Sequence, residues 1–187
     1  MNPRSAFPVV VVAAEIACVA ILWALLFKLN GVMFKALEFS QHVSWIFLPA
    51  ALRVLAVLLF RWRGAVGLFL GALLTSSQSL QSLAPYPWIA AALSAVAPLF
   101  AVEIAKHHLR ISSDLQGLSF QKLALVCSAG AAVSALAHSL LYSHQTGDRA
   151  AMWGFFPMFA GDLVGTVVVV YTAHFCLRLW FPASPKS

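Results

Sequence analysis

The sequence has 187 residues, of which 61% are hydrophobic and only 10% are charged, and its mean hydropathy is +0.88. Soluble domains carry roughly 45–50% apolar and about 25% charged residues, so this composition excludes an ordinary soluble fold. It favours a protein surrounded by lipid, because a bilayer is the solvent that accommodates so many apolar side chains.

Six segments predict membrane-spanning helices, since a span needs roughly 20 mostly apolar residues. They are residues 8–28, 43–61, 64–80, 86–107, 119–142 and 153–178. The apolar part of the third segment stops near Leu74, so a re-entrant hairpin is an alternative there. Residues 32–39 are too short to span and are expected at the membrane interface. The predicted fold is one all-α, polytopic domain over residues 1–187, a bundle of six transmembrane helices.

Basic residues predict the orientation of this bundle, because Lys and Arg accumulate on the cytoplasmic side of a membrane protein. With six spans, one side holds Arg4, Arg61, Arg63, Lys106, Arg110, Lys122, Arg178 and Lys186, and the other holds Lys28, Lys35 and Arg149. This split places both termini in the cytoplasm. A re-entrant third segment would reduce it to seven against four.

The net charge of +6 has the same explanation, because the basic residues stand beside apolar segments. A nucleic-acid-binding surface would instead need a basic stripe interleaved with exposed aromatic residues. We therefore expect the lipid bilayer, and no nucleic acid, as a partner.

Three of the predicted segments share a similar spacing between a proline and a charged residue. In two of them an acidic residue follows a proline by five positions, and in the third a basic residue follows by four. This predicts three helical hairpin repeats, each with a proline-kinked second helix, because proline removes one helical hydrogen bond. Chance similarity between apolar segments is the alternative. The prolines are Pro49, Pro98 and Pro157, and the charged residues are Arg53, Glu103 and Asp162.

Four charged residues fall within or near the ends of the predicted spans: Glu15, Arg53, Glu103 and Asp162. A charge at the bilayer centre costs about 2.5–3.5 kcal/mol, so it is expected to face the bundle interior and to find a partner. Arg53 and Asp162 lie at similar depths in spans that are entered from the same side. We therefore predict an Arg53–Asp162 pair, either as a structural lock or as a ligand site.

Glu15 and Glu103 complete the predicted polar centre, although both lie toward the cytoplasmic side. There each of them could approach Arg61 or Arg63, or could reach the interface along its own apolar stem.

Two pairs of glycines have the four-residue spacing that lets two helices pack closely. They are Gly67 with Gly71, and Gly161 with Gly165, of which the second pair flanks Asp162. Close packing at the second pair would exclude water from the carboxylate and require it to find a partner.

Histidines and cysteines are the candidate ligands for a cofactor. His107, His108 and His174 lie toward one side and His42, His138 and His144 toward the other, so two of them from different helices could ligate haem b. Interfacial or hydrogen-bonded histidines are the preferred interpretation, and we expect no cofactor. Cys18, Cys127 and Cys176 are far apart and lack the spacing of a metal site.

Two stretches resemble a known family. Residues 45–75 begin Trp-Ile-Phe-Leu-Pro-Ala-Ala, pass through a basic Arg-Trp-Arg turn and end Gly-Leu-Phe-Leu-Gly-Ala-Leu-Leu-Thr, and residues 159–170 begin Phe-Ala-Gly-Asp-Leu-Val-Gly. They are similar to the opening helices and the late Gly-Asp helix of MASE1, a family of bacterial membrane sensory domains. The resemblance differs at Ala51, where the family has glycine, and at Arg53 within the span.

The resemblance implies a non-enzymatic sensory or accessory module in the bacterial inner membrane. Such modules are usually fused to cytoplasmic kinases or cyclic-di-GMP enzymes, which these 187 residues do not contain. It would sense a small ligand, or dock a membrane or cytoplasmic protein, through its polar centre.

Two alternatives remain open at this point. The Gly-Asp helix also resembles substrate-binding subunits of energy-coupling-factor transporters, which suggests a transport subunit. A structural subunit of a larger membrane complex is the other. A membrane enzyme is disfavoured, because no arrangement of nucleophile, acid and base is present.

Overall fold

The computed structural model describes residues 3–40, 43–76, 85–112, 115, 118–147 and 149–180. These residues form six α-helices, two short 3-10 helices (Lys35–Leu37 and Arg149–Gly154) and one small β-hairpin. The helices are α1 (Pro3–Met33), α2 (Pro49–Phe60), α3 (Trp62–Thr75), α4 (Tyr86–Leu109), α5 (Phe120–Thr146) and α6 (Phe155–Trp180), and the strands are β1 (Glu38–Ser40) and β2 (Val43–Ser44).

Four of the helices, α1, α4, α5 and α6, are long and apolar enough to cross a membrane, so the chain is a polytopic membrane protein. The other two are shorter, with 12 residues in α2 and 14 in α3. At 1.5 Å per residue they extend over about 18 and 21 Å, less than the roughly 30 Å hydrocarbon core. The predicted full-length second and third spans are therefore wrong: β2 occupies the start of 43–61, and α3 ends at Thr75.

Burial explains why α2 can be short. It packs against all five other helices, and most of its side chains are buried, including Ala51, Val54 and Val57. Because α2 is surrounded by protein rather than lipid, its ends need not reach water, and irregular backbone is tolerated beside it. The main core lies around this helix, with Leu68, Val102 and Val126 fully buried against it.

A single residue, Arg61, separates α2 from α3, and its φ of 53° reverses the chain direction. Gly64 permits the close return, since a Cβ at this position would overlap the backbone carbonyl of Ala56. The two helices therefore form a tight antiparallel hairpin inside the bundle.

The α1 and α3 helices run in the same direction. Gly67 lies against Val19, and Gly71 lies against Trp23, so the small residues of α3 do allow the close helix packing that their spacing predicted. Successive helices therefore run in opposite directions across the bundle. We call the end with β1 and β2 the hairpin end, and the opposite one the Arg61 end.

The positions of the prolines contradict the prediction of a kink at each of the three. Pro98 lies inside α4, but Pro49 is the first residue of α2 and Pro157 lies in the first turn of α6. In a first turn the missing N–H removes no helical hydrogen bond, so a kink is expected at Pro98 alone of the three. Their unequal positions also argue against three equivalent hairpin repeats.

Residues 32–39 contain no spanning helix, and their location at the membrane interface stays a prediction. The end of α1, the 3-10 turn at Lys35–Leu37 and strand β1 occupy this stretch, and β1 pairs antiparallel with β2. The all-α prediction therefore has one small exception.

The packing of α3 on α1 gives a direct prediction. Gly67→Ala should lower the free energy of unfolding by about 1–3 kcal/mol, because the new methyl would lie 2.6 Å from Val19 Cβ and 2.8 Å from the Ile16 carbonyl oxygen. Gly31→Ala is the control, since a Cβ added there would lie more than 4 Å from the described residues outside its own helical turn. Thermal unfolding in detergent measures both, and equal melting temperatures would contradict this account.

Candidate functional site

Arg53 of α2 and Asp162 of α6 form an ion pair inside the bundle. Arg53 Nη1 lies 2.7 Å from Asp162 Oδ2, and the two side chains are only 8% and 3% exposed. The structure thus brings together the two residues whose depths in the sequence predicted a pair. Removing either one would leave a buried charge without compensation, which is strongly destabilising.

Three further contacts hold the Arg53 side chain. The same Nη1 donates to Ser134 Oγ of α5 at 2.8 Å. The guanidinium carbon lies 4.9 Å from the ring centroid of Phe47 and 5.6 Å from that of Trp23, which belongs to α1. Aromatic faces attract a cation through their quadrupole. One side chain therefore connects the central helix to α1, α5 and α6.

The segment 44–47, which follows strand β2 into α2, reaches Arg53 because Gly161 and Gly165 of α6 have no side chains where the two meet. A Cβ at Gly161 or Gly165 would overlap the carbonyl oxygens of Ser44 and Phe47. In addition, Phe47 N donates to the Gly161 carbonyl at 3.0 Å. These glycines were expected to pack against another helix, but they pack against the backbone of the segment between β2 and α2, which places the Phe47 ring beside Arg53.

A cavity of about 560 Å³ extends from the hairpin end down to this ion pair. Lys35, Glu38 and Ser76 line its outer part, and Arg53 and Asp162 line its inner part. Its aromatic lining comprises Trp23, Phe27, Phe34, Phe47, Tyr86 and Tyr142. Cavities of 300–1,000 Å³ with apolar walls and a few convergent polar groups are typical small-molecule sites.

His138 is a member of this site that sequence reasoning missed. It is 4% exposed, its Nδ1 lies 2.9 Å from the Ser134 carbonyl oxygen, and its Nε2 lies 3.3 Å from Ser94 Oγ. A signal was present, because residues four apart share a helix face, so Ser134 and His138 form a polar stripe on α5. Of the histidines grouped with it by level, His144 is exposed and His42 lies outside the described residues.

Two polar atoms of the ion pair have no hydrogen-bond partner among the described residues. They are Arg53 Nε, a donor, and Asp162 Oδ1, an acceptor, and both are buried. A buried polar atom without a partner costs about 1–3 kcal/mol. Neither atom has accessible surface, so both lie beneath the floor of the cavity rather than on it.

Glu15 and Glu103 are not part of this centre. Glu15 pairs with Arg63 at 2.5 Å, and Glu103 lies 3.9 Å from Lys106. Glu103 lines a smaller cavity of about 300 Å³ beside Arg61 and Arg63. The two glutamates therefore belong to a charged group at the Arg61 end, as their approach to the basic turn suggested.

Within the described ranges, no three His, Cys, Asp or Glu side chains come close enough together to hold a metal ion. His107 and His108 are neighbours at the end of α4, with ring centroids 5.6 Å apart, and His174 is exposed on α6. All three cysteines are free thiols.

Two serines of α5 test the Arg53 network. Ser134→Ala should destabilise the protein by about 1.5–3 kcal/mol, because it removes a hydrogen bond to a buried charged group. Ser139→Ala is a matched control, since both serines are 1% exposed and the Ser139 hydroxyl has no partner among the described residues. Chemical unfolding in mixed micelles measures the difference, and equal losses would argue against the network.

The MASE1 family model matches residues 13–187. Comparison with curated proteins and with solved structures finds no significant match. MASE1 domains are sensory modules of membrane proteins and are generally non-catalytic. Because the match extends over nearly the whole chain, this protein belongs to the MASE1 family of membrane sensory domains.

Proposed function

We propose that this module senses a small molecule in the bacterial inner membrane, without catalysis, and that the cavity above Arg53 and Asp162 is its binding site. The observation that carries the proposal is a cavity of about 560 Å³ that is open toward one end of the bundle and closed by a buried ion pair. A subunit built only for packing has no need of such a space.

The sidedness of the site follows from the basic residues. Arg61, Arg63 and Lys106 lie toward the Arg61 end, which the distribution of Lys and Arg assigns to the cytoplasm. The cavity would then open to the outside, and the chain termini would lie in the cytoplasm, where an output domain or a partner protein could respond.

The contacts of Arg53 supply a route for the signal. A ligand that touches the ion pair changes the interactions of one side chain that contacts α1, α5 and α6. Because Arg53 belongs to α2, any shift also reaches the Arg61 turn at the far end of that helix. A ligand shifts such an equilibrium only through different affinities for the two arrangements, and a buried ion pair provides that difference.

A chimera tests this function. We would fuse a diguanylate cyclase domain after Trp180 and measure cyclic di-GMP in cells. Ala90→Phe places a ring in the cavity, which Ala90 lines, and should change the output at least about threefold, a shift of about 0.7 kcal/mol between two states.

The matched control is Val96→Phe on the same helix, because Val96 is 57% exposed and lies outside the cavity lining. Its output should equal that of the unsubstituted chimera at equal membrane abundance. If both variants behave like the unsubstituted chimera, the cavity is not a sensing site.

A further inference from the structure

We propose that the smaller cavity at the Arg61 end, which we call the Arg61 cavity, binds the phosphate of an anionic phospholipid through the guanidinium of Arg61. This cavity of about 300 Å³ is lined by Phe60, Arg61, Trp62, Arg63, Leu99 and Glu103. It is separate from the cavity above Arg53 and Asp162, and its ligand does not depend on the proposed sensing function.

Charge balance leaves Arg61 as the surplus cation beside this cavity. Arg63 is paired with Glu15, and Glu103 lies 3.9 Å from the ammonium group of Lys106. Among the residues that the structure describes, no carboxylate forms an ion pair with the Arg61 guanidinium. The described side chains around the cavity therefore carry one positive charge without compensation, and a ligand with one negative charge would neutralise it.

The two glutamates show how deep this charged group lies in the bundle. Glu15 is six residues inside the apolar stretch of α1 that begins at Val9, and Glu103 is six residues before the end of α4 at Leu109. At 1.5 Å per residue, both lie about 9 Å inside those ends. A cation within the thickness of the bilayer draws headgroups or water toward itself unless an anion compensates it. The surplus charge of Arg61 is therefore placed where a lipid headgroup is the nearest source of an anion.

The backbone at Arg61 favours glycine over arginine. Its φ of 53° and ψ of −127° lie in a region that residues with a Cβ rarely adopt, whereas glycine adopts positive φ without strain. Folding alone therefore disfavours arginine at this turn. Contact of the guanidinium with a ligand explains its presence, since no ion pair within the described part of the chain does so.

The mouth of the Arg61 cavity faces lipid rather than water. Glu103 lies on the same face of α4 as Phe100 and Ile104, because residues three or four positions apart share a helix face. These two apolar side chains are 62% and 43% exposed, as expected of a face that contacts acyl chains. Trp62, which also lines the cavity, is 57% exposed, and tryptophan is enriched at the level of the headgroups. A lipid can therefore place its phosphate at Arg61 and an acyl chain along α4, which a free phosphate ion cannot do.

The chemistry of the guanidinium and the net charge of the site select the headgroup. Arginine binds phosphate oxygens through two parallel N–H donors, and basic pockets between membrane helices suit anionic headgroups. A zwitterionic headgroup such as phosphoethanolamine would bring an ammonium group to a site that already has surplus positive charge. Phosphoglycerol brings the negative charge alone, so we expect it to be preferred.

Native mass spectrometry of the delipidated full chain in detergent measures this preference. Dioleoyl phosphatidylglycerol, phosphatidylethanolamine and phosphatidylcholine are titrated separately, and sn-glycerol 3-phosphate is the soluble competitor. We expect the first phosphatidylglycerol to bind at least about tenfold more tightly than the other two lipids, because it alone neutralises the site through charge-assisted hydrogen bonds. Millimolar glycerol phosphate should not displace it, since the soluble headgroup lacks the acyl chains.

Substitutions locate the site. Arg61→Gln should remove the preference for phosphatidylglycerol. Arg110→Gln is the matched control and should keep it, because Arg110 is also an exposed arginine with a positive φ, of 50°, and does not line the cavity. Arg61→Gly decides the matter if Arg61→Gln fails to fold, since glycine suits this backbone. This variant should unfold at no lower temperature than the unsubstituted protein without lipid, and it should show no preference among the three lipids.

Each of the other outcomes contradicts a stated part of the proposal. Equal affinity for the three lipids would overturn the selection of an anionic headgroup. Equal losses in Arg61→Gln and Arg110→Gln would show a diffuse attraction to basic residues and overturn the site. Displacement by glycerol phosphate would overturn the lipid as the source of the phosphate. None of these results affects the cavity above Arg53, which the chimera tests independently.

Discussion

A guanidinium group buried in a helix bundle needs compensating contacts, and the neighbours of Arg53 supply them to its Nη1 and to its faces, while its Nε has no partner among the described residues. Asp162 provides the opposite charge, Ser134 provides a hydroxyl oxygen, and the rings of Phe47 and Trp23 cover the remaining faces. These groups come from α6, from α5, from the segment before α2 and from α1. Since a buried unpaired charge is so unfavourable, the requirement to satisfy Arg53 positions these parts of the chain relative to one another.

The central position of α2 follows from the same requirement. A helix that carries an arginine is more easily accommodated among protein neighbours than against lipid. Its 12 residues are enough once five helices surround it, and the turn at Arg61 returns the chain within the bundle. The cavity above Arg53 is lined by aromatic side chains along the route from the hairpin end. Stability and candidate function therefore depend on one set of contacts.

Some of this was predictable from the sequence, and physical reasons separate it from the rest. The four long helices could be predicted because apolar runs of about 20 residues match the thickness of a bilayer. The similar depths of Arg53 and Asp162 in their spans were enough to predict that the two side chains pair. The short α2 and α3 could not be predicted, because composition does not reveal whether an apolar helix meets lipid or protein. Nor does the sequence show that Gly161 packs against the backbone of the segment between β2 and α2, or that Pro157 falls in a first turn, since both depend on where the helix begins. His138 was missed because the sequence pattern around a histidine that faces the bundle interior is the same as that around a histidine at the membrane interface.

The most direct test of the central claim is a double-mutant cycle on the ion pair, with Arg53→Met, Asp162→Leu and the double variant unfolded in mixed micelles. Each single substitution should cost about 3–5 kcal/mol, and the double variant should be at least about 2 kcal/mol more stable than additivity predicts, because no buried charge is then left alone. The same cycle on Glu15 and Arg63, whose side chains are 22% and 32% exposed, should show a coupling below about 1 kcal/mol. Additive losses at Arg53 and Asp162 would contradict the account.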